Sequence, residues 1–478
     1  MIHFNNKRVK GILWPERFHM TKAWEQLNKR VAEYLRKRTP GQIVVVLFAL
    51  LVLVGALLLT LPIAARDGNS HGFLTALFTA TSATCVTGLV TGDTWTMWSG
   101  FGQAVILLLI QIGGLGFMSI FSIFLFTLKR QFGIKNRMML SQNFGVDSLE
   151  SVVVLMRHAL LGTLLIEGAG ALILAVRFSF DFGVLQGIKL GVWHSISAFC
   201  NAGFDILGFL MPGGSVIPYG TDVVVMVTLM LLIVLGGLGF FVWNDLFDFP
   251  KTKKLSIYSK LVLLISGILI VCGAALVALF EWDNPATIGN LPVGQKILAC
   301  FFQSVTARTA GFDGMGQGGL TEAGKGITSF LMLIGGSSGS TAGGLKTVTF
   351  AVIVLSVIAN SRGSRNVTVF RRTVQKKQLQ AAYTLGAMML ALTFAGALVI
   401  SATGGFSLSD SLYEAASAIA TVGLTTGITP NLSIAAKLLL IVYMFFGRVG
   451  VMTISLGFLF RRKSDELYTY AETSLIIG

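Results

Sequence analysis

The chain has 478 residues, 54% of them hydrophobic and only 12% charged, with a formal net charge of +15 and a mean hydropathy of +0.76. This composition excludes a soluble domain, whose charged fraction is about twice as high. The positive charge does not signal nucleic acid, because the basic residues are spread over five short segments flanking apolar stretches, with no nucleic-acid-binding fold beside them.

Residues 1–40 are basic and interrupted by Pro15 and Pro40. They lack the apolar core and small-residue cleavage site of a signal peptide, so the segment is expected to stay attached. A helix needs about 20 mostly apolar residues to cross a bilayer. Eight such stretches follow, near 42–64, 101–128, 158–178, 222–243, 260–280, 327–358, 383–403 and 434–460. If each crosses once, twenty-seven of the 37 Lys and Arg residues fall on one side, in 1–40, 129–137, 251–260, 362–377 and 461–463. Positive charge in short loops is retained in the cytoplasm, which predicts both termini there, in a multi-pass protein of the plasma membrane.

Between paired stretches the chain repeats itself. Four short polar segments read Val86-Thr87-Gly88-Leu89, Asn201-Ala202-Gly203-Phe204, Thr309-Ala310-Gly311-Phe312 and Thr421-Val422-Gly423-Leu424. Each is followed by a glycine-bearing helix: Gly113-Gly114, Gly236-Gly237, Gly335-Gly336 and Gly447-Arg448. The second unit alone is longer, which places an insertion near 212–221. The predicted fold is therefore an all-α integral membrane protein, with four helix–pore-loop–helix repeats (eight transmembrane helices) around one pseudo-fourfold pore. The expected divisions are a basic segment 1–40, repeats at 41–140, 141–250, 251–370 and 371–465, and a tail at 466–478.

A loop can dip into a bilayer only where its backbone is buried in protein or faces water. A ring of four loops meets that condition, and its carbonyl oxygens can replace a cation's hydration shell. Glycine supplies backbone angles that a side chain forbids. Half-helices near 74–83 and 412–420 would aim their negative ends at the ion. Neutral carbonyls suit a monovalent cation, whereas divalent pores more often use acidic rings. No acid recurs at one position in all four units. Asp205 and Asp313 match each other two places past their glycines, where the other units have Val90 and Thr425, and they either attract cations at the outer mouth or cap the loop locally.

With its four units, a filter glycine in each loop and a Gly/Ser-rich interruption in the third unit, the chain resembles the membrane subunit of Ktr-type potassium transporters, in the Trk/Ktr/HKT superfamily, over roughly residues 40–478. The resemblance implies potassium uptake through a filter made of Val86, Thr87, Gly88, Asn201, Ala202, Gly203, Thr309, Ala310, Gly311, Thr421, Val422 and Gly423. Gly88 favours potassium, since some sodium-permeable relatives have serine there. It also implies a homodimer, with Leu475-Ile476-Ile477-Gly478 at the dimer interface, and a cytosolic RCK-type regulatory subunit that carries the nucleotide. K+ is the expected substrate, with Na+ the second candidate, and no covalently bound cofactor is expected. The basic loops suit membrane lipid or an acidic partner surface alike, and no nucleic acid is expected.

In the third unit, Gly335-Gly336-Ser337-Ser338-Gly339-Ser340-Thr341-Ala342-Gly343-Gly344 contains too many glycines for an unbroken helix. It should open into a loop, which the resemblance makes an intramembrane gate. Arg448 takes the place of Gly114 and Gly237, and an arginine in an apolar span seldom faces lipid. It either holds the gate loop through carbonyls and repels cations, or ties helices together. Lys346 either anchors the loop or lies at the cytoplasmic mouth. Arg308 is read as a scaffold group bonding pore-loop carbonyls or an acidic neighbour. Arg157, His158 and Glu167 form either a relay or an interhelical polar cluster. Cys85, Cys200, Cys272 and Cys300 read as buried free thiols. Gly113 to Phe117 lacks the Lys-Ser/Thr of a phosphate loop, and no nucleophile-base or paired-carboxylate arrangement is visible, so no enzymatic activity is expected. A sodium-coupled secondary carrier and a non-transporting receptor remain the alternatives.

Overall fold

The computed structural model describes the backbone of residues 40–128, 149–364 and 366–450, and the side chains of 42–115, 158–364 and 366–450. The leading basic segment, the loop 129–137, the side chain of Arg157, the end of the last apolar stretch and the tail with Leu475–Gly478 lie outside the described residues.

In chain order the helices fall into the four stretches marked by the loop glycines of the sequence. The first contains α1 (Pro40–Thr60), α2 (Phe73–Cys85) and α3 (Gly100–Leu128). The second contains α4 (Leu149–Phe182), α5 (Val184–Phe199), α6 (Val223–Leu238) and α7 (Phe240–Thr252). The third contains α8 (Ile257–Glu281), α9 (Val293–Thr306), α10 (Glu322–Leu333) and α11 (Thr347–Ser361). The fourth contains α12 (Lys376–Gly404), α13 (Leu408–Ala420) and α14 (Ile434–Val449). Between α11 and α12 a two-residue antiparallel hairpin pairs Thr368 with Thr373 and Val369 with Arg372.

Helix starts follow the sequence locally. Side chains of Asp222, Ser256, Thr321, Ser407 and Ser433 accept hydrogen bonds from backbone N–H groups three residues on, capping α6, α8, α10, α13 and α14. Among the described residues α1, α4, α8 and α12 are long and apolar enough to cross a membrane, and the pair α6 with α7 makes up to five. Two expected spans are broken. The stretch 222–243 bends by 95° between α6 and α7, because Gly239 takes a φ of 88° and the N–H of Phe240 turns to the carbonyl of Gly339. The stretch 327–358 leaves the helix after Leu333 and resumes at Thr347.

Burial is inverted relative to a water-soluble fold. The long helices present Leu57, Leu165, Leu172, Val271, Leu390 and Phe394, each more than half exposed, an arrangement that costs about 1.5–3 kcal/mol per side chain in water and nothing in hydrocarbon. The short helices α2, α5, α9 and α13 are the buried ones, and they carry hydroxyls such as Thr79, Thr81, Ser82, Ser197, Ser304 and Ser417 into the interior. One apolar cluster joins the first two units through Ala80, Trp98, Phe178, Trp193 and Phe199. A second joins units three and four through Val277, Met332, Tyr413 and Ile419, and takes in Phe78 and Leu89 of the first unit. Cys85, Cys200 and Cys300 are buried free thiols, but Cys272 is exposed, since it lies on the outward face of α8 beside Val271.

Arg66, Arg177, Lys189, Lys296, Lys325 and Lys437, the basic residues that eight single crossings would put on the sparsely charged side, are all held by partners. Arg66 and Lys189 both stack on Trp95, at 4.3 Å and 4.7 Å. Arg177 bonds Asp222 at 2.6 Å and Asp181 at 2.9 Å, and Lys325 bonds Asp410 at 2.9 Å. Lys296 and Lys437 donate to the carbonyls of Trp282 and Pro430.

At the same end, fully buried Glu281 accepts from the N–H and hydroxyl of Thr321 at 2.9 Å and 2.7 Å, from Asn284 Nδ2 at 2.6 Å and from Thr287 Oγ1 at 2.8 Å. Glu281→Ala strands these donors and is expected to destabilise the chain by about 2–4 kcal/mol, read as a lower unfolding temperature in detergent. An unchanged melting curve would refute this role for the carboxylate.

Candidate functional site

The four loop glycines meet. All have left-handed backbone angles, with φ of 94° at Gly88, 68° at Gly203, 81° at Gly311 and 101° at Gly423. A β-carbon on Gly88 would sit 2.5 Å from the carbonyl oxygen of Ala202, and one on Gly203 would sit 2.7 Å from that of Ala310. One on Gly311 would strike the carbonyl of Val422, and one on Gly423 the carbonyl of Thr87. Each glycine therefore presses on the residue just before the glycine of the next unit, and the fourth closes onto the first. Any side chain here meets both a forbidden dihedral and a neighbour's backbone.

The sequence conceals a second irregularity. Val86, Asn201, Thr309 and Thr421, two residues before each glycine, also have positive φ, between 54° and 69°. Three of them are β-branched, for which this conformation is strained by roughly 1–3 kcal/mol each. Surrounding bonds hold it. The N–H groups of Thr87, Ala202 and Val422 reach back to the carbonyls of Ser82, Ser197 and Ser417 at 2.8 Å. The hydroxyls of Ser82 and Ser417 accept from the N–H groups of Gly88 and Gly423 at 3.0 Å. Trp193 Nε1 and Thr306 Oγ1 donate to the carbonyls of Phe204 and Phe312, just past their glycines. Serine six places before the glycine in units one, two and four is a signal visible in the sequence; Val305 takes that place in unit three.

The helix glycines pack behind the loops by one rule. A β-carbon on Gly113, Gly236 or Gly447 would strike the carbonyl of Thr84, Phe199 or Ile419 respectively, which in each unit lies four residues before the loop glycine. The third unit departs: Gly335 faces the carbonyl of Gly343, inside its own interrupted segment.

That segment, 334–346, packs against the upstream ends of the loops. Gly335 N–H donates to Leu345 O, and Gly336 O accepts from Thr347 N–H. Ser337 donates through its N–H to Gly237 O and through its hydroxyl to Leu238 O. Ser338 O accepts from Tyr258 at 2.8 Å, and Gly339 is left-handed beside the Phe241 ring. Ser340 Oγ donates to Ser337 O at 2.6 Å. Thr341 reaches Gly236 O by its N–H and Phe199 O by its hydroxyl at 3.1 Å. Ala342 O accepts from Lys346 Nζ at 2.7 Å, Gly343 lies against Thr421, and Gly344 is left-handed near Ala420. Arg448 donates to the carbonyls of Thr341, Gly113 and Gly114, the last at 2.9 Å. It links unit four, the interrupted segment and unit one at one point.

Two cavities flank this arrangement. One of about 240 Å³ is lined by all four loop glycines and by Asp93, Asp205, Asp313 and Thr425 downstream of them. The other, of about 180 Å³, is lined by Phe48, Gly114, Ala342, Lys346 and Arg448. Asp205 Oδ1 caps the N–H of Leu207 at 3.0 Å, and Asp313 Oδ1 that of Met315 at 3.0 Å, so both carboxylates cap their loops and line the first cavity. Lys346 likewise both anchors the segment and lines the second. Arg308 reaches hydroxyls, Ser266 and Thr347 at 3.5 Å each, instead of the expected carbonyls or acid. His158 and Glu167 do not come together: His158 meets Asn244, whereas Glu167 accepts from Gln111 at 3.1 Å and from Cys200 at 3.7 Å. The insertion near 212–221 crosses to loop three, where Val216 N–H donates to Asp313 O and Ser215 Oγ accepts from Asp313 N–H.

Gly236→Ala and Gly237→Ala separate close packing from mere helix propensity. A β-carbon on Gly236 strikes Phe199 O, whereas one on Gly237 has its nearest neighbour at 3.7 Å. Gly236→Ala should lower the unfolding temperature by several degrees and Gly237→Ala leave it within about one degree; equal effects in a detergent melt would contradict the packing rule.

A family profile described as TrkH, a cation transport protein, matches residues 18–470. The chain is 37% identical over 457 residues to the potassium/sodium uptake protein NtpJ of Enterococcus hirae, covering 95% of this chain and 99% of that protein. It is 38% identical over 436 residues to the Ktr system potassium uptake protein B of Bacillus subtilis, covering 91% and 96%. In fold it is similar to the crystal structure of the potassium transporter TrkH from Vibrio parahaemolyticus, with a TM-score of 0.66 over 87% of this chain and 84% of that one at 17% identity. The apolar outer faces of the long helices accord with a multi-pass membrane protein. Over nearly its whole length, the chain belongs to the TrkH family of cation transport proteins.

Proposed function

We propose that this chain takes up potassium across the plasma membrane through a channel-like pore, with the glycine ring as its selectivity filter. The observation that carries this reading is the cyclic contact of Gly88, Gly203, Gly311 and Gly423, each against the carbonyl-bearing residue of the next loop. Four loops closed in this way share an axis on which carbonyls from Thr87, Ala202, Ala310 and Val422 can replace the water around a cation. The half-helices α2, α5, α9 and α13 end beside that axis with their negative poles toward it. Eight crossings arranged as four pseudo-equivalent units account for this geometry, with both termini cytoplasmic.

The segment 335–344, with Lys346 and Arg448, acts as the gate. It lies on the side of the ring opposite the cavity that holds Asp205 and Asp313, and Arg448 fixes it by donating to Thr341. The Arg448 guanidinium beneath a cation filter opposes passage until the segment moves, and Lys346 anchors the segment. Names of the relatives as potassium uptake proteins support the substrate, and naming of the Bacillus subtilis protein as part of a Ktr system supports a partner component. The reading assigns that role to a cytosolic nucleotide-binding subunit of RCK type on a homodimeric membrane protein. A second reading, sodium-coupled uptake, is favoured by the potassium/sodium name of the Enterococcus hirae relative.

Fluxes of K+ and Na+ into liposomes containing the purified chain test the filter. The parent should prefer K+, and Gly88→Ser should reduce the preference about tenfold or more; equal preference in parent and variant removes Gly88 from the filter. Sodium dependence of K+ flux in the same vesicles discriminates the coupled carrier. Arg448→Ala frees the carbonyls of Thr341, Gly113 and Gly114 and should raise resting K+ flux several-fold. Unchanged flux from protein that elutes as the parent does would end the gating role.

A further inference from the structure

We infer that Glu414 is a positioning residue for cations at the outer mouth, supplying from behind the fourth loop the charge that Asp205 and Asp313 place within loops two and three. The inference rests on the proposed conduction through the glycine ring.

Two residues past the glycines the four units carry Val90, Asp205, Asp313 and Thr425. Three of these share one structural task. Asp205 accepts from Leu207 N–H, Asp313 from Met315 N–H and Thr425 from Gly427 N–H, each at 3.0 Å and each two residues ahead. Thr425 therefore reproduces the turn of units two and three without their charge. The missing carboxylate arrives by another route. Glu414 lies in α13, nine residues before Gly423, where the other units have Thr79, His194 and Phe302. All four positions are buried, and only the fourth holds an acid.

Glu414 Oε1 accepts from the hydroxyl of Thr425, and Oε2 from that of Thr429 at 3.0 Å; the two hydroxyls are 2.8 Å apart. Both oxygens thus engage donors, as suits a carboxylate, and Thr425 is itself in the wall of the 240 Å³ cavity. Lys325, a cation that reaches α13, is occupied by Glu322 and Asp410. Burying a carboxylate without a cationic partner is costly. Here the carboxyl lies one hydroxyl away from the mouth, where an approaching cation favours its ionised form and is stabilised by it in turn. In unit one the equivalent charge comes from Asp93, five residues past Gly88, which lines the same cavity while accepting from Thr96 and Gly213 N–H groups. Each unit contributes one carboxylate, by three different routes.

The test uses the full chain in liposomes, with K+ uptake measured against K+ concentration. Glu414→Gln keeps size and polarity, and should raise the half-saturating concentration about three- to tenfold while maximal flux stays within about twofold. The double variant Glu414→Gln with Thr425→Asp moves the carboxylate to the position it holds in units two and three, and should return half-saturation toward the parent value. A purely structural role for Glu414 predicts no such rescue. An unchanged half-saturation in Glu414→Gln, or a double variant no better than the single, overturns the inference. Should Glu414→Gln fail to fold, Thr425→Val copies the native Val90 and cuts the link while leaving Glu414 in place. It should raise half-saturation in the same direction, and an unchanged value is equally fatal. Parent protein that passes no K+ would instead count against conduction through the ring.

Discussion

Everything in this fold follows from one constraint: irregular backbone held inside an apolar slab has no water to bond and must find partners in protein. The chain meets it by bringing four weak loops together. Each loop glycine occupies the space beside its neighbour's carbonyl, and each loop is braced from behind by serine hydroxyls or by the N–H and hydroxyl donors of Trp193 and Thr306. The short helices carry hydroxyls because they face this polar centre; the long helices carry leucine and phenylalanine because they face lipid.

Much of this was legible in the sequence. Apolar length located the long helices, and spacing identified the four glycines as equivalent, because glycine is irreplaceable where backbones collide and so leaves a trace. The strained residues two places earlier left none: Val86, Thr309 and Thr421 are poor choices for left-handed backbone, and only the assembled ring explains them. The bend at Gly239 was hidden for a related reason. The sequence Gly236-Gly237-Leu238-Gly239 matches Gly113-Gly114-Leu115-Gly116, so nothing local distinguishes the broken helix α6 from α3. The difference comes from the interrupted segment of unit three, whose Ser337 and Gly339 take up the bonds of Leu238 and Phe240. The partners of Arg308 and Glu167 were equally illegible, since Ser266 and Thr347 lie about forty residues from Arg308, and Gln111 comes to Glu167 from another unit.

The units are alike in backbone and unlike in side chains. Repeating one residue type four times was unnecessary wherever a different donor or charge reaches the same point. Turn capping by Asp205, Asp313 and Thr425 is one case, and bracing of the four loops by Ser82, Trp193, Thr306 and Ser417 is another. Unit three alone gives up the helix-packing rule, and it is the unit whose second helix opens. Departure from the repeat and loss of helix therefore coincide, as expected if the glycines of 335–344 were relieved of holding a half-helix in place.

The closure of Gly423 onto Thr87 also bears on how the protein is made. More than three hundred residues separate the two in the chain, so a ribosome feeding the membrane delivers the first three loops well before the last one exists. Until then the first and third loops each have one flank without its final neighbour, a long-range pairing of the kind that slows assembly. Early units must wait in the lipid for their last member, and a truncated product ending before that member would be a natural target for membrane proteases.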